Sequence, residues 1–231
     1  MWQELRTELH PRGLEIVTVA LDVDPEAPRQ WIERANPQHP SLVDSAHVVD
    51  ELLGMVNVPN GVWIDEDGVI VRPAEPAAVE RTGPRAAFRE LPADTPEYFR
   101  EVMAEARKIR TDGGKYTAAL RDWVEKGKQS QYALSPEQVI ERSGKRDVAE
   151  ATAAAQFELG QHLWQSGREE LAPPHWREAH RLQPDNWTYK RQAWVLANPL
   201  QGPTELYDSD WVTDTRKIGA ENYYPPLNLE V

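Results

Sequence analysis

Val58-Pro59-Asn60-Gly61-Val62-Trp63-Ile64-Asp65-Glu66-Asp67-Gly68-Val69-Ile70-Val71 is the stretch on which the fold turns. Two short runs of β-branched and aromatic residues, 62–65 and 69–71, flank an acidic turn closed by Asp67-Gly68, which is the pattern of a β-hairpin. Outward from it, Leu14-Glu15-Ile16-Val17-Thr18-Val19-Ala20-Leu21 is apolar on both faces, as a strand covered by helices on both sides must be. Asp24-Pro25 opens a helix through Trp31, Ile32 and Ala35, which Pro37 and Pro40 end. Ser41-Leu42-Val43 is extended, and a helix over Val48, Val49, Leu52 and Leu53 stops at Gly54. Before all of these, Trp2, Leu5 and Leu9 recur at helical spacing without a capping residue. The order is helix, strand, helix, helix, strand, strand.

Composition narrows the functional classes. With 26 Lys+Arg against 38 Asp+Glu the net charge is -12, which disfavours nucleic acid as a partner. The longest apolar stretch, Ile16 to Leu21, contains Thr18, far short of the roughly 18 residues a membrane span needs. Met1 leads directly into Trp-Gln-Glu-Leu-Arg with no signal pattern, so the expected compartment is the cytoplasm and no membrane partner is expected. Cysteine is absent, which removes disulfides, thiolate metal sites and thiol nucleophiles from this chain.

Residues 12–22 together with 58–71 resemble the redoxin branch of the thioredoxin-like superfamily, the thiol-disulfide reductases of the TlpA/ResA type in particular. The resemblance implies an α/β thioredoxin-like domain over residues 1–75 and a cis Val58-Pro59 bond. It also implies a substrate- or peptide-binding loop at Val58 and Pro59. The family's Cys-X-X-Cys sits at the start of the helix that here begins at Met1. That motif and the strand before it would lie upstream, so the domain is expected to be N-terminally incomplete and the chain redox-inactive as written, with no catalytic residue. The implied missing strand lies between 14–21 and 62–65. Its gap would be filled by the 62–65 strand drawn in, by Leu227-Asn228-Leu229 of the tail, or by a second copy in a homodimer.

Residues 76–114 read as a proline-rich linker and a helix from Thr95-Pro96 to Ile109, broken at Gly113-Gly114. Residues 115–197 read as an all-α region, with a capping box at Ser135-Pro136-Glu137-Gln138. Within it Leu159-Gly160, Gly167, Ala172, Trp176, Ala179 and Pro184 resemble one tetratricopeptide repeat, the small residues permitting a close helix crossing. Gln156 departs from that pattern, and Pro173-Pro174 are expected to delay the second helix. Residues 198–231 form a tail with no clear period.

Nine tryptophans, six of them at or after Trp123, read first as core packing. The sharper reading gathers Trp187, Tyr189 and Trp194 into a candidate interaction surface for a protein partner. His175 and His180 are five apart and do not share a helix face, and His162 reads as structural. His47 beside Asp50 and Glu51 reads as a solvated helix face. Asp65, Glu66 and Asp67 read as an exposed turn. No metal site and no cofactor are expected. The function this supports is a thioredoxin-like protein without dithiol chemistry, the alternative being a non-catalytic interaction module acting through the repeat-like helices.

Overall fold

The computed structural model describes residues 1–80, 91–197 and 206–229. Its helices are α1 (Trp2–Leu9), α2 (Arg29–Ala35), α3 (Val48–Leu53), α4 (Glu97–Ala106), α5 (Gly113–Lys126), α6 (Pro136–Ser143), α7 (Val148–Gln165), α8 (Ala172–Leu182), α9 (Trp187–Ala197) and α10 (Trp211–Ile218). The strands are β1 (Thr18–Leu21), β2 (Ser41–Asp44), β3 (Asn60–Ile64) and β4 (Ile70–Pro76). The chain is therefore mixed α and β, with helix dominant. Among the described residues no helix is long and apolar enough to cross a membrane.

Two compact units are interleaved along the sequence. The first comprises Met1–Thr82, Asp112–Lys145 and Pro226–Val231, the second Gly83–Thr111 and Arg146–Pro225. The division differs from the sequence-based one of 1–75, 76–114, 115–197 and 198–231. Helix α5 belongs with the hairpin because Tyr116, Ala119 and Leu120 complete its core, and α6 packs against β4 after Leu134 N–H donates to the Val71 carbonyl at 2.9 Å. Helix α10 gives the tail an ordered element that no apolar period announced.

In the first unit β1 and β2 pair in parallel, Thr18 against Ser41 through Leu21 against Asp44. Strands β3 and β4 pair antiparallel, with Trp63 opposite Arg72. The hairpin turn holds together locally. Asp65 Oδ1 accepts the N–H groups of Asp67 (3.0 Å) and Val69 (2.9 Å), and Gly68 takes φ 79°. The expected strand over 14–21 shortens to 18–21 because its one partner, β2, is four residues long; Ile16 enters the core while Val17 stays exposed. Among the described residues β1 pairs with β2 alone and β3 with β4 alone, so neither the 62–65 strand nor the tail closes a gap by strand pairing.

The core beneath the hairpin gathers Leu5, Leu9, Ile16, Trp63, Val71, Ala77, Val79, Tyr116, Ala119 and Leu120. Trp63 Nε1 donates to Tyr116 Oη at 2.9 Å, and its ring stacks on Trp123 at 5.1 Å between centroids. Gly113 does not break a helix; it starts α5, where a Cβ would come within 3.1 Å of the Val79 carbonyl.

The second unit is built on α7 and α8. Asp147 and Glu150 form a capping box at the start of α7. Phe157 stacks on Tyr189 at 4.1 Å, and Ala172, Trp176 and Ala179 are fully buried. Gly160 is where α7 makes room for the other helix: a Cβ there would lie 2.6 Å from the Trp176 ring. Pro173 and Pro174 do not delay α8. They occupy its first turn, where the missing N–H groups would have had no helical partner. Helix α10 starts at Asp210, whose carboxylate accepts the N–H groups of Val212 and Thr213. Arg216 on α10 pairs with Glu101 and Glu105 of α4.

Candidate functional site

Two places in the first unit bring chemistry-bearing groups together. The earlier in sequence lies at the carboxyl ends of the parallel strands, where ligands of α/β sheets collect. Asp22 and Asp24 follow β1; Asp44 ends β2; His47 and Asp50 open α3. Asp44 orders this end by accepting the N–H groups of Ala46 (3.2 Å) and Val49 (2.7 Å). His47 takes a left-handed backbone (φ 56°) that turns its ring inward. Its Nδ1 lies 3.0 Å from Asp50 Oδ2, and both side chains are buried. The expected solvated face is thus replaced by an interior pair: the three-residue spacing was visible, but the turn that folds the ring inside was not. Asp50 Oδ1 has no hydrogen-bond partner among the described residues. Burial pushes the Asp22 carboxyl up from its ordinary value, opposed by the Asp24 N–H that it accepts at 3.0 Å, with nearby His47 also favouring its ionised form. Among the described residues no group of three His, Cys, Asp or Glu side chains is placed to hold a metal ion.

The second place is the loop before the hairpin. Gly54 closes α3 in a left-handed conformation, and Met55 N–H returns to the Asp50 carbonyl at 2.8 Å. Val58-Pro59 is cis. Buried Asn57 accepts the Val58 N–H through Oδ1 at 2.8 Å, so that donor faces an internal acceptor. Val58 is half-buried and Pro59 exposed, while the Pro59 carbonyl accepts the Ala77 N–H at 3.1 Å and extends the hairpin.

Several large apolar side chains of the parallel pair and of α2 and α3 reach solvent. Leu42 (54% exposed) and Val43 (37%) are consecutive on β2 and so face opposite sides of the sheet, and both reach solvent. Trp31 on α2 and Leu52 on α3 are more exposed still, at 63% and 77%. A parallel pair is ordinarily covered on both faces.

Trp187, Tyr189 and Trp194 of the second unit do not form an exposed surface. Trp187 and Tyr189 are buried, Trp187 against Tyr223 (4.7 Å) and Tyr189 against Phe157, and Trp194 is half-buried with its Nε1 donating to the Asp208 carbonyl at 3.1 Å. Segment 206–225, which shows no period, supplies the aromatic ring and carbonyl that cover them. His180 of the same unit bonds through Nδ1 to Tyr207. Burial, reinforced by Lys190, lowers its pKa to about 4 and keeps it neutral.

Comparison with family models, with curated proteins and with solved structures finds no match to this chain.

Proposed function

We propose that this chain is a thioredoxin-like protein without thiol chemistry that works by binding protein, including a second copy of itself, in a cytoplasmic setting. The observation that carries the reading is the uncovered parallel pair, Leu42 and Val43 exposed on opposite faces of β2, with Trp31 on α2 and Leu52 on α3 exposed as well. Large apolar side chains left in solvent are surface that a partner can bury, and a strand edge unpaired among the described residues is a template for strand addition. The absence of cysteine removes the thiolate that dithiol exchange requires.

Two measurements test it. The purified chain is expected to leave insulin disulfides intact, and to sediment as a dimer at micromolar concentration that Leu42→Ser with Leu52→Ser converts to a monomer. Insulin turnover above a protein-free control defeats the first half, and a wild-type monomer defeats self-association. A second reading, docking through the repeat-like helices, is favoured by the close α7–α8 crossing at Gly160 and by exposed Leu159 and Leu171 beside it.

A further inference from the structure

The first unit already holds an extended peptide, its own C-terminal segment. Arg72 on β4 is completely buried, and four of its five guanidinium N–H groups are hydrogen-bonded. Nε and Nη2 donate to the two carboxylate oxygens of Glu75 (2.6 and 3.1 Å), Nη1 to the Tyr132 carbonyl (3.0 Å) and Nη2 to the Asn228 carbonyl (2.7 Å). Arg142 on α6 donates to that same Asn228 oxygen from Nη1 at 3.0 Å. On either side of it Leu227 and Leu229 pack against the core that contains Trp63 and Tyr116, while Asn228 itself is exposed. Apolar in, polar out, apolar in is the alternation of an extended chain lying on a surface. Among the described residues this segment joins no strand ladder. What is read is one main-chain carbonyl and the two apolar side chains flanking it, and nothing in that reading requires the peptide to be covalently part of this chain.

We propose that the cleft between β4, the 132 loop and α6 is a binding site for extended apolar–polar–apolar segments of partner proteins, and that the chain's own Leu227-Asn228-Leu229 occupies it in cis and so competes with them. The inference is independent of the redoxin resemblance and of the exposed β2 surface. Arg72 is preset by Glu75 and Tyr132 whether or not the segment is seated, so the donor geometry is organised before a peptide arrives. A tethered segment competes at an effective concentration on the order of millimolar. If the tail itself has an intrinsic dissociation constant on the order of tens of micromolar for the cleft, a partner segment would therefore bind the intact chain at least about tenfold more weakly than a chain whose tail is displaced.

The test uses the full-length chain and a fluorescent peptide of residues 224–231. In the Leu227→Asp/Leu229→Asp variant the two carboxylates cannot enter the apolar cluster, so the cleft opens. Fluorescence anisotropy is expected to show micromolar binding of the peptide to that variant and at least tenfold weaker binding to the wild type. Equal affinities, or no binding to a variant that circular dichroism shows to be folded, overturn the proposal. Should the double variant unfold, Asn228→Cys supplies the only thiol in the chain at an exposed position and is labelled with a fluorophore there. Millimolar unlabelled peptide is then expected to release the tail and lower the label's anisotropy; an anisotropy unchanged by the peptide overturns the proposal equally.

Discussion

Gly160→Ala isolates the helix crossing of the second unit. The added Cβ would lie 2.6 Å from both Cδ1 and Nε1 of Trp176 and 3.4 Å from the Ala172 carbonyl oxygen. The indole is rigid and fully buried, wedged between Trp164 at 5.3 Å and Tyr207 at 5.6 Å, so it has nowhere to swing. Overpacking of this kind costs about 1–3 kcal/mol. Replacing a helical glycine by alanine returns up to about 1 kcal/mol through lost unfolded-state freedom. The net expectation is a loss of about 1–2 kcal/mol, several degrees in Tm for a unit of this size. Urea titration followed by near-ultraviolet circular dichroism measures it, and amide exchange in α7 assigns it to the right unit. Trp176→Phe shortens the ring, so the double variant is expected to lose less than the sum of the two single losses. A Gly160→Ala chain as stable as wild type would refute the close crossing.

Three further outcomes are expected. Arg72→Met leaves the Glu75 carboxylate unpaired in the interior and should cost about 3–5 kcal/mol, most of it regained in Arg72→Met/Glu75→Leu; thermal melts of the pair decide, and an unaffected single variant refutes the buried ion pair. Tyr116→Phe strips the acceptor from buried Trp63 Nε1 and should cost about 1–2 kcal/mol with a changed tryptophan emission. His180 titrates near 4 when folded against about 6.5 when unfolded, so the unfolded state takes up the proton first. Its contribution is neutral above pH 6.5, and stability falls as pH drops from 6.5 towards 4, on the order of 2–3 kcal/mol at most. His180→Gln should flatten that window; parallel pH profiles for variant and wild type would contradict the shift.

What could be read from the chain alone follows from how local each signal is. The hairpin was legible because Asp65 and Gly68 settle the turn within five residues. Helix α3, the cap at Ser135 and the Gly160–Trp176 crossing were legible for the same reason, each being written in spacings of three to sixteen. The core-packing reading of the tryptophans covered the burial of Trp187, but its partner was not legible, since the Tyr223 ring arrives from 36 positions away. Nor was α10, whose buried face is only Val212 and Thr215, too short to show a period. His47 was misread because a left-handed residue inverts what helical periodicity says about its neighbour Asp50. The tail cleft was invisible because Arg72 and Asn228 lie 156 residues apart.

The return of the chain's last stretch to the unit that its first stretch begins has a consequence for biogenesis. A nascent chain is made from its N-terminus at about 5–20 residues per second, and domains ordinarily fold as they emerge. Here β3 and β4 must wait for α5 before their core closes, and Arg72, already paired with Glu75 and Tyr132, gains its last acceptor only when Asn228 has been made. The helices of the second unit, bounded by Arg146 and Pro225, are finished sooner than the unit that precedes them. The hairpin with its buried guanidinium thus receives one of its contacts from a residue made 156 positions after Arg72.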